Sequence, residues 1–231
     1  MDEESRKAIQ SSDELVPRVR SSYKNGWRKI KKYFLELLLI NIIGIVIGLL
    51  SGLFSVPVEG AGAGATVLGI FGLAYSILLV GPIDYGVSFA NLKAARGDRL
   101  EIKDMFEVFK NYVNAVLAGL LVGVIVIIGL VLLIVPGIIF ACKLAFTPYL
   151  VVDRKMEVIE AVKESWRMTG GYSWKVFLIG LLAIPISIAG LICFGVGIIF
   201  AIMWIRLAFA SLYSTVATSG GLPEQMKVPT A

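Results

Sequence analysis

The chain has 231 residues, with 22 Lys and Arg against 17 Asp and Glu, a net charge of +5, 57% hydrophobic residues and a mean hydropathy of +0.83. At 17% charged it falls short of the roughly one quarter usual in soluble domains, and its apolar excess is gathered into long runs. The absence of histidine excludes Ser-His and Cys-His triads, HExxH zinc sites and histidine proton relays.

In chain order, residues 1–33 carry nine Lys or Arg and read as a cytoplasmic basic segment, too polar and too long for a cleaved secretion signal. Val16, Val19, Tyr23, Trp27 and Ile30 form an apolar stripe at helical spacing, after Ser12 as a cap and Pro17 near the helix start. Six membrane segments follow, at 34–54, 67–91, 112–134, 137–153, 173–193 and 196–217. Stretches such as "FLELLLINIIGIVIGLLSGLF" and "AVLAGLLVGVIVIIGLVLLIV" have almost no polar face, and each is near the ~20 residues needed to cross ~30 Å of hydrocarbon. Residues 34–217 therefore read as a single six-helix membrane domain, and 218–231 as a cytoplasmic tail.

The connections sort by charge. The link after the second segment holds Lys93, Arg96, Arg99, Lys103 and Lys110, and the link after the fourth holds Arg154, Lys155, Lys163, Arg167 and Lys175; the connections at 55–66, 135–137 and 194–196 hold no base. Basic residues stay on the cytoplasmic side, so both termini are expected in the cytoplasm of a plasma (inner) membrane protein. Anionic lipid beside the basic face accounts for the charge without nucleic acid. Both basic links also show helical apolar stripes, through Ile102, Met105, Phe106 and Phe109 and through Met156, Ile159, Val162 and Trp166, as expected of amphipathic helices lying in the interface. Such helices serve either to pack on the bundle or to recognise lipid or a protein partner.

The fold class expected is thus an all-α membrane protein, six transmembrane helices arranged as three hairpins, each preceded by an interfacial amphipathic helix. Internal parallel repeats are expected, because "VPGIIFACKLAF" at 135–146 returns as "VGIIFAIMWIRLAF" at 196–209, with Lys143 aligned to Arg206. Gly44, Gly48 and Gly52, and Ala115, Gly119 and Gly123, recur every four residues, a spacing that lets helices approach closely. Pro136-Gly137 and Gly195-Val196-Gly197 read as tight outer turns.

Three charges lie well inside membrane segments, at broadly similar depths: Asp84, Lys143 and Arg206. Left facing lipid, each costs about 2.5–3.5 kcal/mol at a helix centre on the insertion scale. Three arrangements lower that cost. Asp84 can pair with Lys143, Arg206 or both; Lys143 can snorkel to the interface; or the charges can line a polar path. Glu36, Asn41 and Tyr149 are possible contributors to such an intramembrane polar cluster. No catalytic, cofactor-binding or metal-ligating set is expected, and Cys142 and Cys193 lack metal-ligand spacing.

From about Gly81 to Tyr213 the chain resembles a family of uncharacterised bacterial and archaeal integral membrane proteins, related to the membrane domain attached to some glycerophosphodiester phosphodiesterases. "VPGIIFACKLAFTPYLVVDRKMEVIEAVKESWRMTGGYSWKVF" and the closing "GVGIIFA" carry the resemblance. It implies a polytopic membrane module of unassigned activity. The phosphodiesterase chemistry resides in a separate soluble domain with histidine and carboxylate residues, so no catalytic role carries over. The first expectation is a non-enzymatic module for scaffolding or for lipid and envelope handling, with membrane lipids and a possible protein as partners. The alternative is a small transporter or channel built on the charged intramembrane site.

Overall fold

A computed structural model of the chain describes residues 19–54, 63–192 and 196–219. All regular structure among them is helical. Helix α1, Val19–Lys32, buries Ser22, Tyr23, Gly26 and Ile30, positions three and four apart that make one face. That face packs on the last helix of the chain. Helix α2, Phe34–Phe54, runs on after a bend at Tyr33. Helix α3, Ala63–Tyr75, passes through a π turn at Ser76–Val80 into α4, Gly81–Arg96. Gly97 ends α4 with φ 93, and its N–H bonds the Lys93 and Ala94 carbonyls; the left-handed conformation suits a residue without Cβ.

A 3-10 helix at Ile102–Asn111 starts in a capping box, in which the Asp104 carboxylate accepts the Glu101 N–H at 2.8 Å. It buries Asp104, Met105 and Val108 and packs on α4. The approach is closest at Gly86, where any Cβ would collide with the Met105 carbonyl. Helix α5, Tyr112–Leu132, is separated by Leu133 alone from α6, Ile134–Leu144, which lies alongside it. Helix α7, Thr147–Asp153, carries the chain on to α8, Val158–Met168; α9, Ser173–Ile192, and α10, Val196–Ser219, complete the fold.

Among the described residues, six helical stretches are long and apolar enough to cross a membrane: Phe34–Gly52, Val67–Arg96, Ile102–Leu132, Ile134–Asp153, Ser173–Ile192 and Gly197–Thr218. The physics of the surface agrees. Every residue from Leu130 to Val135 is at least 45% exposed, an apolar band that hydrocarbon solvates and water does not. The core sits where α4, α7 and α10 meet, with Ala90, Leu92, Leu150, Val151, Leu207 and Leu212 almost fully buried.

Several local expectations change. Pro136 and Gly137 do not make the turn; they lie in the first turn of α6, where a proline's missing N–H has no helical acceptor to serve. The extended residue Leu133 reverses the chain instead, and Gly137 is the point where α6 presses on Gly129 and Leu130 of α5. The glycine stripe is used only in part. A Cβ at Gly44 would meet Val87 at 3.2 Å, whereas Gly48, Gly52 and Gly123 face open space. The turn expected at Gly195-Val196-Gly197 begins outside the described residues, as does the stripe that starts at Val16.

Candidate functional site

Proline shapes the site twice. Pro82 stands at the start of α4, immediately after the π turn, and has no N–H for the carbonyl one turn earlier. The Gly81 N–H reaches back to Ser76, and the freed Leu78 carbonyl accepts the Tyr112 hydroxyl of α5 at 2.6 Å. This shift of helical register comes just before Asp84. In the second case, Pro148 at the start of α7 breaks the fourth apolar stretch after Leu144. The carbonyl of Lys143 is then taken by Ser165 Oγ of α8 at 2.9 Å and by Oγ1 of Thr169, the residue that caps α8, at 3.0 Å.

The sequence-level cluster divides. Asp84 Oδ1 accepts from Arg206 Nη2 at 2.6 Å, joining α4 to α10. The pair is only partly enclosed, with side-chain exposures of 53% and 33%. Buried Tyr149 of α7 lies within electrostatic range of both partners. Lys143 does not join them: its ammonium lies 5.5 Å from the centroid of the Trp166 ring on α8. Pro148 explains the difference, because the break brings α8 up to the end of α6 and gives Lys143 an aromatic face beside the α8–α9 corner. Glu36 is half-buried in the first turn of α2, with no ion-pair partner among the described residues. Asn41 is buried; its Nδ2 donates to the Leu37 carbonyl at 2.8 Å, and its Oδ1 has no partner among the described residues. Asn91 of α4 repeats that arrangement.

A second ion pair, not anticipated from sequence, lies toward the basic end. Arg96 donates to both carboxylate oxygens of Asp153, at 2.6 and 2.7 Å, the bidentate geometry that guanidinium and carboxylate favour. Tyr213 of α10 donates to Asp153 Oδ2 at 3.2 Å and stacks on Tyr149 with ring centroids 4.9 Å apart. The two pairs and the tyrosines therefore form one seam across α4, α7 and α10. Asp84 and Arg96 lie ~18 Å apart along α4, each bound to a different neighbour. The available signal in the sequence was Asp153, an acid closing an apolar stretch opposite a wealth of bases.

Outside the seam, polar side chains bind the connecting helices to the bundle. Tyr23 donates to the Ile179 carbonyl at 2.9 Å, Asn25 to the Ala95 carbonyl at 3.2 Å and Ser211 Oγ at 2.7 Å, and Trp204 Nε1 to the Tyr23 carbonyl at 2.9 Å. Lys93 pairs with Asp104 at 2.9 Å. Burial pushes the Tyr23 hydroxyl up to about 12, since the phenolate loses its hydration there. Among the described residues no group of three or more Cys, Asp or Glu is placed to hold a metal ion.

Fold and site together define an all-helical, multi-pass membrane protein. Residues 121–219 match the model of a family described as "Protein of unknown function (DUF975)". The match takes in Lys143, Asp153, Tyr213 and Arg206 but not α4, and so covers one partner of each ion pair. No curated protein and no solved structure matches the chain.

Proposed function

We propose that the chain is a non-enzymatic module of the plasma membrane that engages anionic lipid through a cytoplasmic collar of interfacial helices. The observation that carries this reading is the outer surface of α1, the 3-10 helix and α8. Trp27, Phe106, Phe109 and Trp166 are each between 42% and 45% exposed there, among lysines such as Lys31, whose ammonium lies 5.6 Å from the Trp27 ring centroid. Amphipathic helices with aromatic and cationic side chains lie in the headgroup layer of anionic membranes.

The contacts support three parallel units. The first connecting helix, α1, packs on α10; the 3-10 helix packs on α4; α8 packs on α5, α6 and α7. Each interfacial helix thus covers the second span of the preceding hairpin, and α1 closes the ring onto the last. This cyclic exchange is the arrangement expected of three hairpins of one orientation. Their basic ends would face the cytoplasm by charge partition. Cysteines placed at Leu133 and Lys155 test the orientation: an impermeant maleimide should label the first from outside intact cells and the second only after permeabilisation.

The lipid reading is tested on the reconstituted full chain by tryptophan quenching with brominated phosphatidylglycerol and phosphatidylcholine. Stronger quenching by the anionic lipid, reduced in Lys31→Gln/Lys32→Gln/Lys110→Gln, supports it. Equal quenching by both lipids overturns it.

A second reading, transport of a small polar solute, rests on the partly open Asp84–Arg206 pair inside the spanning segments. Solute flux in proteoliposomes that is lost in Asp84→Asn would favour it over the lipid module.

A further inference from the structure

Two helix faces trace how the bundle opens. A Cβ at Gly44 of α2 would meet Val87 of α4 at 3.2 Å, but one at Gly48 or Gly52 meets nothing within 4 Å among the described residues. The same happens on α5: a Cβ at Gly119 would lie 3.9 Å from the Tyr85 ring of α4, and one at Gly123 meets nothing within 4 Å among the described residues. Residues four apart share a helix face. Both faces therefore look toward α4 and lose it within one further turn, ~6 Å along the axis, on the side of the neutral connections. Close main-chain approaches on that side lie within hairpins, Gly129 on Gly137 and Gly190 on Gly197.

Asp84 and Arg206 stand where that contact is lost. Asp84 precedes Tyr85 and Val87 on α4, toward the neutral connections. Around the α4 axis it lies about 60° from Val87 on one side and about 100° from Tyr85 on the other. It is thus turned between the faces that meet α2 and α5, and it takes the Arg206 guanidinium of α10 there. Gly48, one turn beyond Gly44, stands at about the same level. Side-chain exposures of 53% and 33% leave both charges in need of solvent, and hydrocarbon solvates neither. On the cytoplasmic side of the pair the packing closes: Ile40, Val87, Ala90, Asn91 and Leu207 are at most 1% exposed.

We propose that this space is a water-filled vestibule, open toward the neutral connections and sealed toward the basic ones, with the Asp84–Arg206 pair hydrated at its floor. Small hydrophilic ions and solutes are the class of molecule that enters it. A lipid tail is the poorer occupant, because it would strip water from both charges without replacing the lost hydrogen bonds. The proposal goes beyond the lipid reading and uses none of its residues. It also differs from transport, since a vestibule sealed at one end carries no flux by itself.

The test places single cysteines in the full chain carrying Cys142→Ala/Cys193→Ala and treats intact cells and inverted vesicles with an impermeant cationic methanethiosulfonate. Unmodified thiol is then counted with a maleimide after denaturation. Gly48→Cys and Gly123→Cys fit without displacing a neighbour and should be modified from the same face as Leu133→Cys. Val46 and Ile128 are 57% and 53% exposed but lie on the far sides of α2 and α5 from those glycines. Val46→Cys and Ile128→Cys should react about tenfold or more slowly, because apolar surroundings keep a thiol protonated. Ile128 is nearer the end of α5 than Gly123, so depth does not explain faster reaction at Gly123. Val87→Cys should react from neither face. Rates at Gly48 and Gly123 no higher than at Val46 and Ile128 would overturn the vestibule, and reaction of Val87→Cys from the Lys155→Cys face would overturn the seal. If Leu133→Cys, Gly48→Cys and Gly123→Cys all react only from the cytoplasmic face, the orientation given above fails and the vestibule stands.

Discussion

Asp84 and Arg206 stand 122 positions apart in the chain and 2.6 Å apart in the folded protein. Their pair closes α4 against α10 inside the spanning region, where an unpaired charge is costly. Asp84→Asn or Arg206→Gln should each lower stability in micelles by about 1–3 kcal/mol. The double variant should be milder than the sum, with a coupling of about 1 kcal/mol by denaturant titration.

Lys143 gives the contrasting case. Since it lies on Trp166 rather than on Asp84, Lys143→Met and Asp84→Asn should add, to within about 0.5 kcal/mol. A coupling above that size would mean that the two charges meet.

The Arg96–Asp153 pair should matter more. Its carboxylate is nearly enclosed, at 7% side-chain exposure, and accepts two guanidinium bonds and the Tyr213 hydroxyl. Asp153→Asn should cost about 2–4 kcal/mol by leaving Arg96 without its partner. Tyr213→Phe, which removes one neutral donor, should cost about 0.5–1.5 kcal/mol. Unfolding in mixed micelles ranks the two.

Gly86→Ala should be among the worst small substitutions, because the added carbon meets the Met105 main chain, which cannot swing aside as a side chain would. A loss of about 2–4 kcal/mol is expected. Gly48→Ala meets open space and should be neutral or stabilising by up to about 1 kcal/mol through helix propensity. Thermal unfolding of the pair of variants checks both.

Tyr23 predicts an alkaline limit. Its hydroxyl titrates at about 12 in the folded protein against 10.0 unfolded, so the folded state holds the proton more tightly. The stabilisation is complete below pH 10 and is lost as pH rises toward 12, amounting to about 3 kcal/mol at most. Tyr23→Phe should lack this component of the decline in a pH series of unfolding midpoints.

The sequence made the spanning helices legible, since length and hydropathy alone decide whether a segment belongs in hydrocarbon. Asp84, Lys143 and Arg206 could be named as one candidate cluster, with Glu36, Asn41 and Tyr149 as contributors, because intramembrane charges are few and must find partners. Lys143 was grouped with them on depth, and depth says nothing about the direction in which a side chain points. What Pro148 does is tertiary: the break there lets Ser165 of α8 and the capping Thr169 reach the end of α6. Arg96 read as one base among many in a polar link, and only contact with Asp153 sets it apart.

The chain by itself determined that this protein is helical, crosses the membrane repeatedly and gathers its bases at one set of connections. Those properties follow from how each segment partitions between water and lipid, a local free energy that sums along the sequence. Tertiary structure decided which charges meet and where α1 docks on α10. These depend on the rotation and crossing of helices far apart in sequence, set by close contacts such as Gly86 against Met105, and lipid is nearly indifferent to how an apolar helix is turned.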